Sequence, residues 1–441
     1  MKVLIANHRY FVSSGPERYM FNIASRLEKA GHRVIPFSVS YSQNEPTPFS
    51  EFFVPSLGKA DQVYFDQHRA SLRALPRTLG RLFYSAEVER AVVRLAEAAQ
   101  PDIAYVLHYL RKLSPSLLVG LKKRNIPIVV RLSDYGMFCA EHHCLRNSEP
   151  CALCVDGKLS HSVRHKCVKG SRMLSLIDAA ATAFHRWRKY FGLVDMYVTT
   201  NPFMQEMMIK AGYPRQKLRC IPTFADTDAF APPATSAERP YILSACRLDP
   251  PKGVHVLIEA MRLLHARKKP GIPELVIIGT GHKPDYVAAL KKTVTAAGLE
   301  NKIAFRGHVK ASDLPSILSG ALCSVIPALW FENLPNTLIE SLACGVPVIA
   351  SDIGSLSTAI TDGTDGLLHE PGNAEDLARK IERLTSDSAL RLALSAGARR
   401  TALTKYSPQT HVSRLLSLFE ETLGARQAAR VPSQQPAASL T

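Results

Sequence analysis

Arg247 and Lys252 follow an apolar run, YILSAC, in the segment RLDPPKG. A guanidinium can fork onto phosphate oxygens and an ammonium acts as a point charge, so the pair suits a diphosphate held in a cleft. A helix starting near Gly253 would add its positive end; two solvated surface charges are the plainer alternative. Glu332 and Glu340 stand in WFENLPNTLIE. Pro335 suits a first helical turn, which puts Glu332 in the preceding loop and Glu340 in the second turn. Glu332 could then reach sugar hydroxyls, and Glu340 could accept from two vicinal ribose hydroxyls. Backbone N–H groups of NLPNT would meet phosphate or sugar. Glu340 is flanked by Leu338, Ile339, Leu342 and Ala343, and an acid in so apolar a helix asks for a partner. Two weaker signals accompany these. IIGTG offers Gly279 and Gly281 for close approach of a phosphate or nucleoside. GHVK offers His308 and Val309 as a wall for a base, or simply as surface loop.

Such residues need a scaffold, and the chain reads as alternating strands and helices. VLIAN at 3–7 is a strand, a turn through Ser13, Ser14 and Gly15 follows, and Tyr19, Ile23 and Leu27 mark one face of a helix over 17–30 ended by Gly31. HRVIPFSV, DIAYVLHY, IPIVVRLS, VDMYVTT and LRCIP continue as strands. After APPATSAERP at 231–240 the pattern restarts with YILSACRL, ELVIIGTG, KIAFRG, LCSVIPA, PVIAS and GLLH, separated by helices. Two such sets mean two doubly wound α/β domains with a shared cleft at the strands' carboxyl ends. The division predicted is 1–225, 236–405, a helix over 406–424, and a loose tail over 425–441.

The charge is uneven. The chain carries 55 Lys and Arg against 38 Asp and Glu, a net of +17, and residues 1–222 hold +15 of it. A front half so basic expects an anionic partner: a membrane surface, a phosphorylated lipid or nucleic acid. No nucleic-acid recognition module is legible, which sets the last aside. Apolar runs are too short to span a bilayer, and the first ten residues lack a secretory pattern, so a cytoplasmic protein is expected. Arg164, Lys166, Lys169, Arg172, Arg186, Arg188 and Lys189, with Trp187, Tyr190 and Phe191, form a basic stretch with aromatics suited to a peripheral membrane surface or a polyprenyl-diphosphate acceptor. Arg69, Arg73, Arg77 and Arg81 recur every four residues and would make a positive stripe on a helix, against which Pro76 and Gly80 weigh.

Five of nine cysteines fall between Cys139 and Cys167, spaced Cys139-x4-Cys144-x6-Cys151-x2-Cys154-x12-Cys167. A C-x2-C pair with two outlying thiols can make a tetrahedral zinc site that staples an irregular insertion, about 135–172. Cys139, Cys151, Cys154 and Cys167 are the expected ligands. A mixed set with His142, His143 or His165, an iron–sulfur cluster, and plain thiols are the alternatives.

The sequence resembles glycosyltransferase family four, the retaining nucleotide-sugar enzymes of GT-B fold, from Met1 to about Glu421. PALWFENLPNTLIESLACGVPVIAS carries the family's E-x7-E signature, supported by RLDPPKG, SSGPERY and GHRV. The resemblance implies that Arg247 and Lys252 clamp the donor diphosphate and that Glu340 binds the ribose. It places Glu332 near the transferred sugar, with Asn333 and Leu334 offering backbone amides, and Gly15 as the front-domain glycine admitting diphosphate and acceptor. It implies no catalytic metal, a final helix crossing back to the front domain, and a UDP- or GDP-sugar donor. Many members carry a His where this chain has Ser133; Asp134, next in line, or His108 would take its place. Some members also resemble the cysteine segment, with SDY or SDF, C-x2-C and a later CVKGS, and Cys144 lies outside that pattern. The expected activity is transfer to a hydroxyl of a lipid-linked or cell-envelope glycan. A small soluble acceptor, or binding of a nucleotide sugar without transfer, are the alternatives.

Overall fold

A computed structural model describes residues 1–57, 75–233, 240–268 and 271–428. The front lobe opens β1 (Lys2–Asn7), α1 (Gly15–Lys29) and β2 (Arg33–Phe37), then a short pair, β3 (Val39–Ser40) and β4 (Val54–Pro55). It continues α2 (Leu75–Phe83), α3 (Ala86–Ala99), β5 (Ile103–His108), α4 (Ser116–Lys123) and β6 (Ile128–Arg131). An insertion follows, with the hairpin β7 (Leu145–Arg146) and β8 (Glu149–Pro150), α5 (Ser160–Arg164) and α6 (Arg172–Trp187). β9 (Met196–Thr199), α7 (Pro202–Lys210) and β10 (Leu218–Cys220) complete the lobe.

The rear lobe runs β11 (Tyr241–Ala245), α8 (Val254–Ala266), β12 (Leu275–Ile278), α9 (Pro284–Ala296), β13 (Ile303–Gly307), α10 (Leu314–Ser319) and β14 (Ala321–Ile326). Then come α11 (Asn336–Ala343), β15 (Val348–Ser351), α12 (Ser355–Ala359), β16 (Gly366–His369), α13 (Ala374–Ser386) and α14 (Ser388–Lys405). The chain ends on α15 (Pro408–Ala428).

Each lobe holds a six-stranded parallel sheet, ordered β10-β9-β6-β5-β1-β2 in front and β13-β12-β11-β14-β15-β16 behind. Val3, Leu4, Ile5 and Ala6 are all buried, the unbroken apolar strand that helices on both faces require. In both sheets the winding reverses beside the first strand, between β1 and β5 in front and between β11 and β14 behind. Crevices for ligands form at such reversals, beyond the strands' carboxyl ends.

α1 begins on Ser14 in extended conformation with Pro16 in its first turn, and buries Tyr19, Met20, Ile23 and Leu27 against the front sheet. Leu415, Leu418 and Phe419 of α15 join the same front core, and Arg426 clamps Asp195 at 2.8 Å. The helix runs four residues past the predicted end, to Ala428. Phe224 still packs in the front core and Ala225 in the rear one, so the chain leaves the front lobe after Phe224 and re-enters it with α15. The two passing segments are tied together by Ala225 N–H donating to the Tyr406 carbonyl at 3.0 Å.

Arg81 corrects the predicted basic stripe. It is 1% exposed, donating to the carbonyls of Lys112 and Pro55 and pairing with Glu87, so it braces the lobe from within. Arg77 also pairs with Glu87, at 3.0 Å, while Arg69 and Arg73 lie outside the described residues.

Candidate active-site cleft

A cleft of about 690 Å³ separates the lobes. Gly15, Asp134, Arg247, Lys252, Glu332, Asn333 and Leu334 all line it, so most of the predicted site converges there. The rear wall begins where β11 ends. Arg247 follows on a loop, more than half exposed and 3.5 Å from Asp249. Pro250–Lys252 form one tight turn, and α8 starts two residues later than Lys252. The turn aims Lys252 across the cleft floor, where its Nζ meets Glu332 Oε1 at 2.6 Å and lies 5.2 Å from the Trp330 ring centre. Trp330 Nε1 donates to the same oxygen at 2.7 Å. Glu332 is 6% exposed, so these two donors hold a nearly buried carboxylate in place.

The loop Trp330–Leu334 feeds into α11 at Pro335, and Asn333, Leu334 and Asn336 around that helix start line the cleft; the first N–H groups of a helix have no partner within it. Opposite lies the N-terminus of α1. A Cβ on Gly15 would stand 3.0 Å from Asn336 Nδ2, so the glycine keeps the two helix starts close. Two helix N-termini facing one another over Lys252 and Arg247 make a site of positive potential, suited to an anion.

The side chain of Asn333 does more than its predicted backbone role. Its Nδ2 donates to the Ser133 carbonyl at 2.8 Å, while Thr200 and Asn201 hydrogen-bond to its side-chain and main-chain oxygens. Tyr135 Oη donates to the Glu332 carbonyl at 2.9 Å. The rear loop is thus stitched to the front lobe.

Glu340 is 4% exposed, and its partner is Arg18 of α1, at 2.6 Å across the lobes. Its other oxygen, Oε2, is buried without a partner. Burial raises the carboxyl's pKa, and Arg18 only partly opposes this. Glu340 lines a small recess of about 60 Å³ with Arg18, Asn22 and Asn336, beside the main cleft. An orphaned acceptor there is open to a hydroxyl donor.

On the front side, the Asp134 carboxylate accepts from the Gly136 N–H at 2.8 Å and lies 3.1 Å from both His108 Nε2 and His142 Nδ1. Burial alone would raise its pKa, but His142 and His108 win and hold it well below the usual carboxylate range. Asp134 is therefore a fixed anion. Ser133 Oγ takes a bond from Arg131 at 2.9 Å, so this hydroxyl is already engaged.

Several of the expected residues lie elsewhere than in the cleft walls. A Cβ on Gly279 would fall 1.9 Å from the Cys246 carbonyl, and one on Gly281 2.4 Å from that of Leu248. These glycines let two strand ends pass closely, and it is Thr280 and His282 that line the cleft. His308 and Val309 are not among the lining residues; Val309 packs against the rear core. Nor is the zinc site supported: among the described residues no group of three or more His, Cys, Asp or Glu could hold a metal. Cys144, expected to be spare, is the buried one of the five clustered thiols, and it hydrogen-bonds Cys139, both remaining free. That bond is the main reason the Cys139 thiol falls to about 6, with burial opposing it and backbone N–H groups and His142 helping. His142, a candidate ligand, serves Asp134 instead. Sequence reading also missed Arg9, Tyr19, Arg131, His143 and Trp330 in the walls. Only Trp330, the first residue of the WFENLP run, carried a signal.

Residues 226–401 match the family model described as glycosyl transferases group 1, which takes in most of the rear lobe. A GDP-mannose-dependent α-(1-6)-phosphatidylinositol monomannoside mannosyltransferase of Mycolicibacterium smegmatis is 26% identical over 58% of this chain and 69% of its own length. The lipopolysaccharide core biosynthesis glycosyltransferase LpsE of Rhizobium meliloti is 30% identical over 52% of this chain and 65% of its own. A D-inositol 3-phosphate glycosyltransferase of Salinispora arenicola is 31% identical over 43% of each. The chain thus spans from under half to just over two thirds of these relatives' lengths. HepE of Anabaena in complex with UDP superimposes with a TM-score of 0.65 at 18% identity, over 96% of this chain and 100% of that one. Sucrose-phosphate synthase of Thermosynechococcus elongatus gives 0.68 at 18% identity, over 96% and 99%. The fold is GT-B, and the enzyme class is glycosyltransferase.

Proposed function

We propose that the protein is a retaining glycosyltransferase of family four that moves a sugar from a UDP- or GDP-sugar to a hydroxyl of a lipid-linked or cell-envelope glycan intermediate. The observation that carries the proposal is the Lys252–Glu332 pair at the rear sheet's reversal, set between the N-termini of α11 and α1. In this reading the diphosphate lies against Lys252 and Arg247, which stabilise the charge that develops as the sugar–phosphate bond breaks. Glu332 and the Asn333 and Leu334 amides orient the sugar, and Glu340 Oε2 accepts from the ribose. Asp134, held ionised by its two histidines, accepts a hydrogen bond from a sugar or acceptor hydroxyl. Closure of the lobes excludes water, so transfer outruns hydrolysis. The cations supply the charge that a metal supplies elsewhere.

An envelope acceptor is supported by the front lobe's positive charge and by the relatives named for phosphatidylinositol mannoside and lipopolysaccharide core. It is supported too by α6, whose Met173, Leu176 and Trp187 are 67%, 57% and 73% exposed on one face, beside Arg172 and Arg188. Tyr190, by contrast, turns inward. No helix among the described residues is long and apolar enough to cross a membrane, so association would be peripheral, by α6 lying on the surface.

The test is turnover of UDP- and GDP-sugars by Arg247→Ala and Lys252→Ala. Each should lose about 10²–10³ in kcat, the loss seen when one charge-stabilising donor is removed. Normal turnover by the double charge reversal, Arg247→Glu with Lys252→Glu, would overturn the proposal.

A further inference from the structure

Between Cys139 and β7 the insertion makes a tight loop beside the main cleft, and His143 lines the cleft from it. The backbone there is held from several sides. Tyr135 N–H donates to the His142 carbonyl at 3.0 Å, His142 N–H to the Cys139 carbonyl at 3.0 Å, and Cys151 N–H to the Cys144 carbonyl at 2.7 Å. Arg111 donates to the Ala140 carbonyl. His142 and Cys144, on either side of His143, have φ +64° and +49°, a left-handed backbone that residues with a Cβ rarely adopt. Strain of this kind persists where the surroundings fix it, and it clusters at ligand clamps. We propose that this loop aims His143 at the transferred sugar, and that His143 binds one of its hydroxyls and so helps select the sugar. The inference rests on the glycosyl transfer proposed above and adds a residue that decides which sugar is taken.

His143 differs from the neighbouring histidines. His108 and His142 each spend a ring nitrogen on Asp134, at 3.1 Å. The His143 ring makes no hydrogen bond to a described residue. It stands edge-on to Trp330 of the rear lobe, ring centres 5.4 Å apart. Trp330 Nε1 is the donor that, with Lys252, holds the Glu332 carboxylate. Tyr135, at the root of the same loop, donates to the Glu332 carbonyl at 2.9 Å. The insertion therefore meets the Glu332 loop at two points, and His143 borders from the front the space that Glu332 borders from the rear. The charges that act on His143 fit this place: Asp134 and His142 in front, Arg247 and Glu332 behind. A sugar whose diphosphate lies on Arg247 and Lys252 would sit between His143 and Glu332. The cleft walls desolvate the ring and lower its pKa, so at neutral pH it is uncharged and can donate from one nitrogen and accept on the other. That suits a sugar hydroxyl, which does both, better than a phosphate. A site that hydrogen-bonds a hydroxyl rejects the sugar lacking it.

The test is turnover of a panel of UDP- and GDP-hexoses and their monodeoxy analogues by the full chain, read as nucleoside diphosphate released to water so that no acceptor is needed. For the hexose used best, the wild type should lose about tenfold in kcat/KM when the hydroxyl that His143 holds is missing, the value of one hydrogen bond. His143→Ala should lose about tenfold with the intact sugar and nothing further with that analogue, since the two changes remove one interaction. His143→Gln, which can still donate and accept, should keep most of the turnover. Nucleoside diphosphate should bind wild type and both variants within about twofold by calorimetry, which also monitors folding. A His143→Ala variant that turns over the intact sugar like wild type, that still discriminates each deoxy analogue as wild type does, or that loses nucleoside diphosphate affinity along with turnover would overturn the assignment. Those results leave the functional proposal standing, whereas a wild type that turns over no UDP- or GDP-hexose loses that proposal and this inference with it.

Discussion

Arg18→Leu gives the sharpest check on how the lobes share charge. The Arg18 side chain is 32% exposed and Glu340 5%, and their contact is the Glu340 carboxylate's one hydrogen bond among the described residues. Breaking a fully buried pair costs about 3–5 kcal/mol, because the partner charge is stranded. Solvent already screens part of Arg18, which brings the expected loss to about 2–3 kcal/mol at neutral pH. The pH dependence has a definite sign. Burial sets the Glu340 carboxyl above its ordinary value in the wild type, and without Arg18 it rises further. A carboxyl whose folded pKa is raised binds a proton on folding, so its penalty is absent below the unfolded pKa and grows as pH rises through the folded one. Urea denaturation of wild type and variant at about pH 5 and pH 8 should show a gap that shrinks in acid. Adding Glu340→Gln should recover most of the loss. An equal gap at both pH values, or no recovery in the double variant, would refute the reasoning.

His411 of α15 is driven to about 3 by burial first, with Arg131 and Arg414 adding to the effect and the Pro222 carbonyl opposing it. Its stabilising contribution is full above the unfolded pKa of about 6.5 and is lost as pH falls, at about 1.4 kcal/mol per unit, so His411→Gln should flatten the stability profile between about pH 6 and pH 4 by one proton's worth. Gly279 has φ +129°, and alanine there meets the Cys246 carbonyl, so Gly279→Ala should cost about 3 kcal/mol or more in thermal unfolding while leaving the front lobe's near-UV signal intact. Met173→Ser with Leu176→Ser should weaken sedimentation with anionic vesicles by about tenfold or more, from the apolar area no longer buried in lipid, and leave binding to nucleoside diphosphate within twofold.

The fold was legible because parallel strands covered on both faces are near-continuous apolar runs, and VLIAN, PIVVR and LVII stand out from the amphipathic helices between them. The rear half of the site was legible for a related reason: Lys252, Glu332 and Glu340 sit at strand ends and a helix start. What could not be read were pairings across the cleft. Nothing near Arg18 marks it as Glu340's partner, and Arg81 shares its spacing with the half-exposed Arg77 while being enclosed. The cysteine spacing suited a metal, but spacing does not fix where thiols point, and Cys139 turns to Cys144. His143 escaped notice as a cleft wall because an irregular insertion leaves no periodic trace.

The hydrogen bond between Ala225 and Tyr406 constrains mechanics as well as connectivity. Two crossing segments side by side act like a door hung on one short pin: they permit a swing about their common line and resist sliding. Widening the gap for an incoming nucleotide would then take the form of a rotation. Such a rotation would have to part the bonds by which Asn333 grips Ser133, Thr200 and Asn201.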